Sequence, residues 1–170
     1  MDFEDEIGGL FALRRRGLDG DAGAYSRIRE RLATLLPGAV GAERARLLQM
    51  LGQVERDQGN RAEAVPVYDE AVTIWRKLDD RAGLAYALRH VADIRREAGD
   101  AEAALAEIDE ALGLLDGADV LTRANAFRVQ ALCLEALGRP AQAVWRVAET
   151  LYAEAGIEAG VEECRRRLAG

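Results

Sequence analysis

The chain holds one histidine, His90, and one serine, Ser26. His90 lies one helical turn from both Tyr86 and Asp93, a spacing that would gather a phenol, an imidazole and a carboxylate into a cluster suited to a small-molecule sensor or hydrolase. The rest of the chain gives such chemistry no support, for it carries no HExxH, no phosphate-cradling or dinucleotide glycine pattern and no paired zinc ligands. His90 is therefore expected to be a polar residue lining a groove, and no catalytic residue is expected. Asp19, Asp21 and Glu30 stand at the first, third and last positions of a calcium loop. Gly23 and Ala24, however, occupy the places where such a loop needs a carboxylate and a glycine, so a helix break with a capping aspartate is expected instead. Cys133 and Cys164 have neither CxxC spacing nor a nearby histidine and read as reduced thiols in a helical core. No metal and no cofactor are expected.

A different chemistry is written in three polar stripes. Arg46, Gln49, Gln53 and Arg56 are spaced i, i+3, i+7, i+10, which places them on one helix face. Tyr86, Arg89, Asp93 and Arg96 follow the same spacing, as do Asn125, Arg128, Leu132 and Glu135. Five of these residues are arginines in an acidic protein. Guanidinium groups bind carboxylates through two parallel hydrogen bonds, so the stripes suit an extended, acidic peptide segment better than a metal or a small neutral ligand.

The elements that position these side chains follow from composition and repetition. A chain of 170 residues, 49% hydrophobic and 31% charged, is long enough for a sizeable core and too apolar for disorder. Ala, Leu, Arg and Glu dominate while β-branched residues and proline are scarce, which favours helix and leaves little material for a sheet. A net charge of -7 opposes bulk attachment to nucleic acid or anionic membranes, so neither is expected as a partner. The acidic start MDFEDEIGGL lacks the apolar stretch of a signal peptide, and no later run is long enough to span a bilayer, which gives a cytoplasmic expectation. Basic residues are 22 Arg and the single Lys77, a bias that suits a GC-rich bacterial genome.

The stretch GNRAEAVPVYDEAV at 59–72 returns as GDAEAALAEIDEAL at 99–112. Gly52, Gly59, Ala64, Tyr68 and Ala71 recur forty residues on as Ala92, Gly99, Ala104, Ile108 and Ala111, and a third copy aligns as Ala131, Gly138, Ala143, Val147 and Thr150. Each copy divides into two helices. Gly59, Gly99 and Gly138 end the first helix, and Asn60, Asp100 and Pro140 open the second as caps or as a favoured first helical residue. Ala64, Ala104 and Ala143 should then be buried where the two helices cross. Pro66, inside the pattern, removes a backbone donor and predicts a local kink or a late helix start. Trp75 and Trp145, both on second helices, are expected in the core.

Leu48, Leu51 and Gly52, then Leu88, Val91 and Ala92, together with the turn glycines and the alanine–aromatic–alanine pattern after them, resemble the tetratricopeptide repeat. The third copy matches through Phe127, Gln130 and Ala131. The family's first-helix tyrosine is replaced by Glu55, Arg95 and Leu134, its closing proline is missing, and a spacing near forty residues resembles the extended members. The resemblance implies an all-α, right-handed α-solenoid of antiparallel helix pairs. Read this way, residues 1–170 form a single domain, with a degenerate pair at 1–40, repeats at 43–78, 82–116 and 121–155, and a capping helix at 157–169. Ile157, Val161, Cys164 and Leu168 form that cap's apolar stripe, with Arg165, Arg166 and Arg167 as a solvated face. The resemblance also implies that first helices line a concave surface. The three stripes and His90 would then face a protein or peptide partner, in an adaptor or scaffold without enzymatic activity. A homo-oligomerising scaffold is the alternative, and a sensor or hydrolase around His90 a third.

Overall fold

The computed structural model describes residues 2–170, and among them the regular structure is helical, with no strand. The chain divides into two compact units, Met1–Asp80 and Arg81–Gly170. In the N-terminal unit, α1 (Phe3–Leu18), α2 (Ala24–Leu35), α3 (Gly41–Asp57) and α4 (Arg61–Leu78) follow one another, with a 3-10 turn at Leu36–Gly38. Here α1 and α2 pack together and against α3, and α3 pairs with α4. In the C-terminal unit, α5 (Arg81–Glu97) pairs with α6 (Ala101–Leu114), α7 (Val120–Ala136) pairs with α8 (Gln142–Glu154), and α9 (Glu158–Ala169) packs on α8. The short connections make successive packed helices antiparallel. The expected all-α class, the α-solenoid type built from consecutive helix pairs, is what the structure shows.

The helix breaks fall where the glycines place them. Gly59, Gly99 and Gly138 have φ of +81°, +94° and +66°, the left-handed region a side chain disfavours. Each closes the same pair of bonds. The glycine N–H donates to the carbonyl three residues back, and the next N–H donates to the carbonyl five back, as in Asn60 to Glu55, Asp100 to Arg95 and Arg139 to Leu134 at 2.8–2.9 Å. Asp100 then caps α6 by accepting the Ala103 N–H at 3.3 Å. Asn60 does not cap α4; its amide instead donates to the Glu55 carboxylate at 2.8 Å. Nor does Pro66 delay the helix, since α4 runs unbroken from Arg61. Pro66 is exposed, and so is Ala62, whose carbonyl would have accepted the N–H that proline lacks, so that carbonyl's residue lies on the solvent side of α4.

The first two pairs cross as expected. Ala64, Tyr68, Ala71 and Ala104, Ile108, Ala111 are fully buried. A Cβ placed on Gly52 would stand 2.5 Å from the Tyr68 ring, so α3 has backbone there where any side chain would displace a buried aromatic.

The third pair corrects the sequence register. Ala143 and Thr150 are exposed and Val147 is 41% exposed, whereas Ala141, Trp145, Ala148 and Tyr152 are buried. These four match Ala64, Tyr68, Ala71 and Trp75 in spacing, so the second helix of this copy is set two residues earlier than counting from the glycine indicates. The cause lies in the turn. After Gly138 the residues Arg139–Ala141 stay outside the helix, and non-helical chain advances about 3.3 Å per residue against 1.5 Å in a helix, so fewer residues reach the crossing.

Candidate functional site

In the N-terminal unit the stripe on α3 is partly consumed by the unit itself. Arg46 binds the Glu4 carboxylate of α1 with both terminal nitrogens, and its guanidinium lies 5.2 Å from the Phe3 ring centre. That pairing holds the Glu4 carboxyl below its ordinary range. Gln49 and Gln53 are buried, and Arg56 is half-buried. Glu55, where the resemblance expects a tyrosine, accepts a two-bond clamp from Arg29 at 2.9 and 2.8 Å together with the Asn60 amide. Hydrogen bonding from Arg29 first, and then from Asn60, lowers its carboxyl from the usual value against the opposing effect of burial. An ion pair thus occupies the place of an aromatic side chain.

The C-terminal unit assembles the richer cluster. On α5 the Arg89 guanidinium lies 5.5 Å from the Tyr86 ring centre and donates to His90 Nε2 at 2.8 Å, while the Tyr86 and His90 rings are 4.4 Å apart. Because arginine keeps its charge, Nε2 must be the accepting nitrogen, and a lone pair held by a guanidinium is poorly placed to take a proton from a substrate. Asp93 is buried and accepts from Arg96 at 2.7 and 3.1 Å. On α7 Leu132 is buried in the core with Trp145, and Asn125 accepts the Tyr152 hydroxyl of α8 at 2.8 Å. Burial pushes that phenol up to about 12, with the Arg128 charge opposing. Arg128 itself donates two parallel bonds, at 2.7 and 2.9 Å, to Glu163 of α9.

Glu163 and Tyr152 are not legible as site residues, because Tyr152 lies on a second helix outside the three stripes and Glu163 on a helix marked only by its apolar stripe. Glu163 sits beside Cys164 of that stripe, and an acidic residue flanking a buried position was the available signal. The three arginines of that helix also differ from a uniformly solvated face. Arg165 pairs with Glu149 at 2.9 Å, and Arg167 pairs with Glu135 at 3.0 Å while lying 5.9 Å from the Trp145 ring centre; Arg166 is left 69% exposed. In the break between α1 and α2, Asp21 is held by Arg16 and Arg27. Among the described residues no group of three or more His, Cys, Asp or Glu is arranged to hold a metal ion, and no helix is long and apolar enough to cross a membrane. An open cleft of about 540 Å³ adjoins Tyr86, lined also by Arg81, Leu115, Asp116 and Thr122.

Comparison with known proteins agrees with this architecture. The chain is similar to the crystal structure of BtubC (BKLC) from P. vanneervenii, with 17% identity over 99% of this chain and 90% of that one and a TM-score of 0.56, a likeness of fold. No curated protein matches it. Residues 43–116 match the family model described as Tetratricopeptide repeat, a family of protein–protein interaction modules. That span contains the glycine turns and alanine crossings of α3 to α6, so residues 43–116 are similar to tetratricopeptide repeats.

Proposed function

We propose that the chain is a non-catalytic adaptor that binds an acidic segment of a partner protein, using the first-helix face of the C-terminal unit with Arg89 and Arg128 as its carboxylate-binding groups. The observation that carries this reading is the Arg128–Glu163 clamp. A first-helix arginine already holds a carboxylate with two short bonds, half-buried, in the geometry a partner's Glu or Asp would use. Tyr86 beside Arg89, and Asn125 beside Arg128, add a ring face and an amide for an extended backbone. On the N-terminal unit, Arg46 with Glu4 repeats the same pairing.

The clamp also decides which variants are informative. Arg128→Glu would set two carboxylates against each other and lower stability, so Arg89→Glu is the cleaner probe. With a fluorescein-labelled, glutamate-rich peptide as ligand, Arg89→Glu is expected to weaken binding at least roughly tenfold, the effect of replacing a charge-assisted contact by repulsion. Affinity should fall as salt rises, and Glu163→Gln should tighten binding by leaving Arg128 to the peptide. Fluorescence anisotropy reads all three. Equal affinity for wild type and Arg89→Glu, at low and at high salt, would remove the acidic-groove reading.

A further inference from the structure

The outward side of α1 carries an exposed, self-complementary pattern. Asp5, Gly8, Ala12 and Arg15 lie at i, i+3, i+7, i+10 on one face, and all four are exposed. Phe11, one row over, is 46% exposed, and Leu18 is 59% exposed. Gly8 and Gly9 stand in the middle of this helix, where glycine is less favourable than alanine, and a Cβ on either would meet no atom within 4 Å. Internal packing therefore gives no reason for either glycine. Glu4 and Arg16 are engaged by Arg46 and Asp21, which leaves Asp5 and Arg15 as the exposed charges flanking the small residues.

We propose that this face of α1 pairs with α1 of a second copy of the chain, antiparallel about a two-fold axis. The pattern reads acid, small, small, base, and reversing it gives its own complement. Asp5 meets the second copy's Arg15, and Gly8 meets its Ala12. One register satisfies both, because each pair of residue numbers has the same sum, with the two-fold axis level with residue 10. Asp5 and Arg15 then lie about 7.5 Å to either side of that axis. A parallel pairing would set Asp5 against Asp5 and Arg15 against Arg15, so charge selects the antiparallel one. The acidic first turn and basic last turn also suit the helix dipole, and they oppose each other favourably across such a pair. A helix of this length, about 24 Å, offers a strip well short of the roughly 800 Å² per partner of a standard interface, so the dimer is weak and salt-sensitive. This inference stands apart from the acidic-segment reading, which concerns the other unit.

Sedimentation equilibrium of the full chain at low salt tests it. Wild type should show a concentration-dependent dimer, and Asp5→Arg or Arg15→Glu alone should raise its dissociation constant at least tenfold. An equimolar mixture of the two variants should recover the wild-type constant, because Arg at 5 then faces Glu at 15 and the native Arg15 faces the native Asp5. Gly8→Leu should abolish the dimer while the far-ultraviolet helical signal is kept, and this variant keeps the proposal falsifiable even if a charge variant folds poorly. A wild type that stays monomeric to its solubility limit overturns the proposal. So does a mixture that associates no better than its components, or a dimer indifferent to Gly8→Leu.

Discussion

Trp145→Ala is expected to lower the stability of the C-terminal unit by about 3 to 5 kcal/mol, whereas Val147→Ala two positions on should change it by less than about 0.5 kcal/mol. Trp145 is 1% exposed at the centre of a cluster containing Ala131, Leu132, Ala148 and Tyr152, and its indole N–H donates to Glu135 at 2.8 Å. Truncation would leave a cavity that neighbouring helices cannot fill and would remove the donor for a half-buried carboxylate. Val147 points outward and has little to lose. Urea unfolding followed by circular dichroism checks the difference. Trp75, in the other unit, provides a fluorescence control that should keep its own midpoint. A companion pair sharpens the test, with Ala141→Leu overpacking the crossing and Ala143→Leu tolerated on the surface. If Val147→Ala proves the more harmful of the first two, the register counted from the glycine holds and the one in the structure does not.

Deleting α9 is expected to be as damaging. Val161 and Cys164 are buried against Ala148, Leu151 and Tyr152, with Leu168 packed at the edge, and removing the helix returns both sides of that contact to water. With about 1.5 to 3 kcal/mol for each large apolar side chain uncovered, the loss is about 3 to 6 kcal/mol, accompanied by an exposed apolar patch. A melt of the chain truncated after Ala155 should show the C-terminal unit unfolding early and binding a hydrophobic dye. Gly160→Val tests the same contact without deletion, since its Cβ would stand 2.5 Å from the Tyr152 ring. A truncated chain as stable and as soluble as the parent would mark α9 as a detachable tail.

The first two pairs were legible because each turn uses the same grammar. A glycine able to take positive φ is followed five residues later by an alanine, and the count holds as long as the intervening turn is alike. The third pair broke the count through Pro140. It and its neighbours stay outside the helix, and a pattern read by position carries no measure of chain length per residue. The polar stripes were legible as helix faces but not as environments. Burial of Gln53 and Asp93 depends on which helices lie opposite, something no period along one helix encodes. The ionic partners were least legible of all. Glu4 and Glu163 reach Arg46 and Arg128 across 42 and 35 residues of sequence, from terminal helices without the repeat's alanine spacing.

Both cysteines lie in the C-terminal unit, unpaired and wholly buried, and burial pushes the Cys133 thiol up to about 12 and the Cys164 thiol up to about 11. Only the thiolate is nucleophilic, so in the closed fold both are silent toward alkylating reagents near neutral pH. Cys164 rides on α9 and Cys133 on α7, so the two report different depths of opening. A helix that lifts from the end of the unit exposes the first alone, whereas full separation of the helices exposes both. The chain thus carries a two-stage chemical clock, in which the order and rate of alkylation time how often the last helix lets go before the rest of its unit does.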